Sequence, residues 1–269
     1  MKRPASRAQL PIALTIAGSD SGGGAGVQAD LKTFTALGCH GTTAITCITA
    51  QNPRAVIGIQ PVRADLVRNQ IAAVFAELPP CAVKTGMLFS TEIINVVADF
   101  FAKGKRPPLV VDPVMVATSG AVLLKPSAIR ALKERLLPLA TLVTPNLDEA
   151  QLLLGRKLQT LEDLLEAAEE LNTQFGCAAL VKGGHLKLGK EAVDVLFDGK
   201  RFTVLKARRI QGVSTHGTGC TYSAAITAHL ARGEKLERAV ALAKHFITRA
   251  IAKSYRAGKH AVLNQPDAA

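Results

Sequence analysis

IALTIAGSDSGGGAGVQADLKTFTALG, residues 12–38, is the stretch whose reading decides the fold. IALTIAG (12–18) is a short β-branched run ending in glycine, the pattern of a buried strand. SDSGGGAG (19–26) is a glycine-rich loop. VQADLKTFTAL (27–37) places Val27, Leu31, Phe34 and Leu37 at helical spacing, and Gly38 stops the helix. Strand, loop and helix in that order form the unit from which parallel sheets are assembled.

The unit recurs along the chain. Strands are expected over 42–50, 81–88, 108–115, 141–146 and 178–185. Helices are expected over 64–78, 92–104, 127–138 and 161–175, with another in LDEAQLLLG (147–155). AVDVLFDGKRFTVLKARRI (192–210) has Asp198-Gly199 between two alternating runs, a hairpin signal. Two helices, over about 218–232 and 234–256, close the chain. The fold class is therefore α/β, with a mostly parallel central sheet covered by helices on both faces. We expect one domain over 11–260, with loose tails at 1–10 and 261–269.

The composition agrees. The 269 residues are 48% hydrophobic, enough to bury a sizeable core, and aromatics make up only 4%. Five cysteines, at 39, 47, 81, 177 and 220, form no CxxC pair and are expected as free thiols. All except Cys220 are expected in the core. No apolar run has the length of a signal peptide core or a membrane span, so a cytoplasmic enzyme with no membrane partner is expected. The net charge of +12 raises nucleic acid as a partner. The Lys and Arg residues are scattered without aromatic interleaving, however, and none is expected.

In open α/β sheets, ligands bind beyond the carboxyl ends of the strands. The segments that follow the strands are SDSGGGAG, AQN, KTGML, DPVM, TPNLDE, KGGH and HGTGC. GTGC (217–220) opens a helix whose first amides have no internal partners. Gly217 and Gly219 let the backbone around Thr218 approach a ligand closely, and the helix dipole adds positive potential. The arrangement suits a phosphoryl group. The same dipole is expected to lower the Cys220 thiol pKa and make it a candidate proton acceptor. A glycine-rich helix cap with a small buried cysteine is the plainer alternative.

Other candidates carry their own alternatives. SGGGAG (21–26) lacks the Gly-Lys-Ser/Thr ending of a phosphate loop, and Val27 stands where GxGxxG requires glycine. It is either a flexible turn or a substrate or phosphate loop. Asp30 is either a first-turn acid or an acceptor for a substrate amino or hydroxyl group. Gln51 suits a heterocycle bearing an exocyclic amine, whereas Asn52 before Pro53 also suits a turn. Asp112 and Glu149 are strand-end carboxylates able to hold Mg2+ through its waters, or are caps. Lys182 either neutralises nucleotide phosphates or is a solvated edge lysine. His185 and His216 have no third ligand at recognisable spacing, so zinc is not expected.

In combination and order, LTIAGSDSGGGAGVQADLKTFTALG, ITAQN, KTGML, VVDPVM, TPNLDEA, VKGGH and HGTGC resemble the ribokinase-like superfamily. Within it they resemble the hydroxymethylpyrimidine and phosphomethylpyrimidine kinases of thiamine biosynthesis, over residues 12 to about 250. The resemblance implies a three-layer α/β/α fold, with ATP and Mg2+ as cofactors and a small pyrimidine as substrate. It implies sequential phosphorylation of 4-amino-5-hydroxymethyl-2-methylpyrimidine, and a homodimer is expected with it. Gly18, Asp30, Gln51, Met87 and Val114 would line the pyrimidine pocket. Asp112, Asn146, Glu149 and Lys182 would serve Mg-ATP, with Thr218. Gly217 to Cys220 would form the anion hole. Sugar kinases of the superfamily carry Asp where this chain has Cys220, as the pyrimidine branch does. The first loop departs from the more usual SDPSGGAG, and Thr85 replaces a commoner Ile. A pyridoxal or pyridoxine kinase is the alternative within the fold.

Overall fold

The computed structural model describes residues 9–104, 106–115, 123–184, 186, 191–211 and 216–269. The first repeat forms as read: β1 (Ile12–Asp20), the glycine loop, then α1 (Gly26–Ala36). Next come β2 (His40–Asn52), β3 (Ala55–Pro61), α2 (Ala64–Glu77), β4 (Ala82–Thr85) and α3 (Thr91–Phe101). They are followed by β5 (Leu109–Val111), α4 (Pro126–Ala131), β6 (Leu142–Val143), α5 (Leu147–Leu154), α6 (Leu161–Phe175) and β7 (Ala178–Lys182). The hairpin of β8 (Glu191–Phe197) and β9 (Phe202–Arg208) precedes α7 (Thr218–Ala231) and α8 (Leu236–Ala252). A small separate pair, β10 (Tyr255–Ala257) and β11 (His260–Val262), follows.

The nine strands of the main sheet run in the order β3-β2-β1-β4-β5-β6-β7-β8-β9. β2, β1, β4, β5, β6 and β7 are mutually parallel; β3 at one edge and β8 at the other run against them, and β9 pairs antiparallel with β8 and so runs with the parallel set. Alternation within the strands assigns their two faces. Leu109 and Val111 pack with α2 to α6, whereas Val110 packs with α1, α7 and α8. Each such aliphatic side chain fully buried contributes about 1.5–3 kcal/mol. Three layers, α/β/α, follow from that period of two.

The departures from expectation have local causes. β5 and β6 are much shorter than the runs suggested, because Pro113 and Pro145 follow at once and cannot donate to a ladder. The helix expected over 127–138 breaks into α4, a π turn over Leu132–Leu136 and a 3-10 turn over Leu137–Leu139. Pro138 forbids continuation of the α ladder. β3 was not legible: it is an exposed edge arm between Pro53 and Pro61, with Ile57 76% exposed. The segment 261–269 is not loose. Leu263, Gln265 and Ala268 are buried, and Gln265 donates to the Thr221 hydroxyl at 3.2 Å. Leu263 and Ala268 join the apolar cluster formed by α1, α7 and α8. Cys39, Cys47 and Cys177 are buried as expected, but Cys81 is exposed, being the last residue before β4 enters the sheet.

α7 fixes the functional edge. It is buried along most of its length between α1 and α8, and Ala224, Ala225 and Ala228 allow close approach to the sheet. Its N-terminus is thereby held at the carboxyl ends of the parallel strands.

Candidate active site

A cavity of about 590 Å³ opens along that edge. Its wall includes Gly18, Gln51, Met87 and Val114, four of the five residues expected to hold a ring. A Cβ on Gly18 would lie 2.7 Å from the Cys47 sulfur and 3.8 Å from that of Met87, so only glycine leaves this wall in place. Gln51 is reached from β2, and its side-chain oxygen accepts from Thr49 at 3.2 Å. Asn52 does what the turn reading required, accepting from the amides of Arg54 and Ala55.

The fifth residue, Asp30, is set further in. It is fully buried on α1 and is not on the cavity wall. The physical reason is Lys84, on β4, whose ammonium lies 2.9 Å from Asp30 Oδ2 with neither side chain exposed. Thr15 donates to the same oxygen at 2.7 Å, and Asp30 Oδ1 has no partner among the described residues. Burial acts to strip the proton from Lys84. The Asp30 carboxylate outweighs it and holds the ammonium charged, with further help from Asp112. Sequence reasoning overlooked Lys84, although a lysine inside an otherwise apolar parallel strand is itself a signal.

Asp112 leaves the sheet directly after β5. It accepts from Lys182 at 3.1 Å, Thr144 at 3.3 Å and Ser223 at 3.2 Å. Ser223, one turn into α7, was also not foreseen. Lys182 is thus paired and largely buried rather than a solvated edge residue. Asn146 and Glu149 form a reciprocal capping box at the start of α5, each accepting from the other's amide at 2.9 Å. The cap reading and the site reading therefore both apply to them, since both line the cavity. Burial, with the like charge of Asp112, pushes the Glu149 carboxyl up to about 7 despite Lys182.

The GTGC turn faces these groups. Gly217 caps α7 in the left-handed region, at φ 79°, and a Cβ on Gly219 would sit 3.3 Å from Lys182 Nζ. The Thr218 hydroxyl is buried with no partner among the described residues. A turn that offers free helix amides, an orphaned hydroxyl and a neighbouring ammonium has the donor set of a phosphoryl site.

One expectation is overturned. The Cys220 thiol is not lowered by its helix: burial pushes it up to about 12, and the Lys84 charge offsets this only in part. Desolvation is the largest influence on this half-buried thiol, which lines the cavity. Since the thiolate is the reactive form, little of it exists at neutral pH. Iodoacetamide at pH 7–8 should therefore label exposed Cys81 well before Cys220, and labelling of Cys220 should accelerate about tenfold per pH unit up to pH 10. Peptide mass mapping at timed intervals reads this. Equal labelling of the two at pH 7 would contradict the burial argument.

Among the described residues there is no group of three His, Cys, Asp or Glu placed to hold a metal ion; His185 lies outside the described residues. No described helix is long and apolar enough to cross a membrane.

Residues 20–264 match the family Phosphomethylpyrimidine kinase. The chain belongs to that family. It is 53% identical to the hydroxymethylpyrimidine/phosphomethylpyrimidine kinase of Rhizobium meliloti over 247 residues, 91% of this chain and 92% of that one. It is 49% identical over 252 residues to the thiamine biosynthesis bifunctional protein ThiED of Geobacter sulfurreducens. There the match covers 93% of this chain but spans only about half, 51%, of the longer protein. Among solved structures, an ADP complex of Bacillus subtilis pyridoxal kinase superposes with a TM-score of 0.87 at 40% identity, covering 96% of this chain and 98% of that one. The three-layer fold is thus ribokinase-like, as the motifs implied.

Proposed function

We propose that the chain transfers the γ-phosphoryl group of ATP to the hydroxymethyl group of 4-amino-5-hydroxymethyl-2-methylpyrimidine, and then a second to the monophosphate, in thiamine biosynthesis. The observation that carries this reading is the convergence of the Gly217–Cys220 turn, Lys182 and Asp112 beside the pocket of Gly18, Gln51, Met87 and Val114. Membership of the family and the names of its relatives support the substrate.

Phosphoryl transfer asks little covalent chemistry of a protein; positioning and charge do most of the work. Here the amides at the head of α7 and the Thr218 hydroxyl would take the oxygens of the transferring group. Lys182 would neutralise nucleotide phosphate charge. Ile210, Ile247 and Ile251, also on the cavity wall, suit the flat base of the nucleotide. With its thiol held up at about 12, Cys220 would orient the acceptor hydroxyl rather than strip it. As the new P–O bond forms and the bond to ADP breaks, the hydroxyl proton would pass late to an oxygen of the transferred phosphoryl group.

Mg2+ fits the residues present. Asp112 and Glu149 supply hard oxygen donors on the cavity wall. Asn146 adds an amide beside them. The ion would supply charge neutralisation on the donor phosphates, held by these side chains largely through water.

The test is a product assay with ATP, Mg2+ and the hydroxymethylpyrimidine, resolving monophosphate from diphosphate by anion exchange. Both products should appear in sequence. Absence of any phosphorylated ring alcohol would defeat the proposal. The pyridoxal kinase likeness favours a second reading, that vitamin B6 alcohols are also accepted. Pyridoxine in place of the pyrimidine decides it. A cytoplasmic location and a homodimer complete the reading. The exposed Ile48 and Ile57 of the β2–β3 arm offer apolar surface for such a contact, and light scattering would report it.

A further inference from the structure

The glycine-rich loop after β1 is unassigned so far, and its hydrogen bonds are unusual. Every amide from Gly22 to Ala25 donates to Asp20. Gly22 reaches Oδ1 at 2.8 Å, Gly24 and Ala25 reach Oδ2 at 3.1 and 2.8 Å, and Gly23 reaches the backbone carbonyl at 2.9 Å. A loop whose amides are already taken, with a carboxylate at its centre, is not built to hold a phosphate.

Asp20 also reaches across the molecule. Its Oδ2 lies 3.2 Å from Nε2 of His216, the residue that precedes the GTGC turn. Both residues are largely buried. The backbones nest as well. A Cβ on Gly24 would sit 2.8 Å from His216 Cδ2, and one on Gly217 would sit 1.8 Å from the Gly24 carbonyl oxygen. Two loops 196 residues apart therefore share a carboxylate and a glycine-on-glycine contact. Burial acts to raise the Asp20 carboxyl, but the bond with His216 and the Gly22 and Ala25 amides outweigh it, keeping the group ionised.

We infer that Asp20 and His216 are positioning residues that hold the Gly217–Cys220 turn in register for phosphoryl transfer, and that the glycine-rich loop is the buttress through which they act. The inference rests on the kinase reading of that turn. Its physical basis is that misplacing a reacting group by about 1 Å costs on the order of 100-fold in rate.

Steady-state kinetics and thermal melting of four variants test it. Asp20→Asn and His216→Ala should lower kcat about 10- to 100-fold while the KM for the pyrimidine changes less than about threefold. Gly24→Ala, which displaces the imidazole while leaving both partners present, should do the same and covers the case in which Asp20→Asn fails to fold. His216→Gln, which keeps an N–H within reach of Asp20, should recover most of the loss. An unchanged kcat in His216→Ala and Gly24→Ala overturns the inference. So does a rise in KM alone, which would make the loop a direct substrate contact. Wild-type protein that makes no phosphorylated pyrimidine would instead sink the kinase reading itself.

Discussion

Gly217→Ala should lower kcat by about 10²- to 10³-fold, the scale at which a preorganised donor is lost, with ADP affinity falling as well. The argument is steric and local. Gly217 sits at φ 79°, where an L side chain is strained, and a new Cβ would lie 1.8 Å from the Gly24 carbonyl oxygen. Neither loop can yield cheaply. Gly24 is anchored to Asp20, and Gly217 begins a helix buried along most of its length. The turn must therefore rotate, and the amides that face Lys182 and Asp112 turn with it. Activity at saturating substrate, with circular dichroism to establish folding, measures the effect. A folded Gly217→Ala protein within threefold of wild type would show that the turn's geometry is not what drives transfer.

Lys84→Met should destabilise the fold by about 3–5 kcal/mol, because it leaves the buried Asp30 charge without its partner. Melting should fall by roughly 6 °C or more. The pH dependence has a definite sign. Burial holds the Asp30 carboxyl above its unfolded value even beside Lys84, and loss of the lysine raises it further. The deficit is then absent below the unfolded pKa of about 4 and grows as pH rises through the folded pKa. The variant should thus be closest to wild type in acid and furthest from it at pH 8. Lys84→Met combined with Asp30→Leu should regain much of the stability, since a buried ion pair replaced whole by apolar groups is often neutral. Catalysis in that double variant should remain impaired, because Lys84 also supplies the positive charge nearest in effect to Cys220. A single variant as stable as wild type at pH 8 would contradict the pairing.

Much of this architecture is legible in residues 12–38, because a buried parallel strand, a glycine loop and an amphipathic helix each leave a local pattern. The three layers follow from repeating that pattern. β5 and β6 escaped accurate delimitation because an Asp-Pro and a Thr-Pro step cut the ladder short while hydrophobicity continued. The residues beyond the strand ends were readable as a set, and the structure brings nearly all of them to one cavity. What was not readable is pairing. Nothing local links Asp30 to Lys84, 54 positions away, or Asp20 to His216. Burial of the Cys220 sulfur was equally invisible, since the helix dipole is a sequence-local argument and desolvation is a tertiary one.

A crystal structure of the protein with ADP, Mg2+, aluminium fluoride and the hydroxymethylpyrimidine tests the central claim most directly. The account predicts the planar fluoride within hydrogen-bond distance of the backbone amides of Gly219 and Cys220 and of the Thr218 hydroxyl, with the ring alcohol on its far side. A fluoride bound away from the head of α7, with those amides turned to protein or solvent, would contradict it.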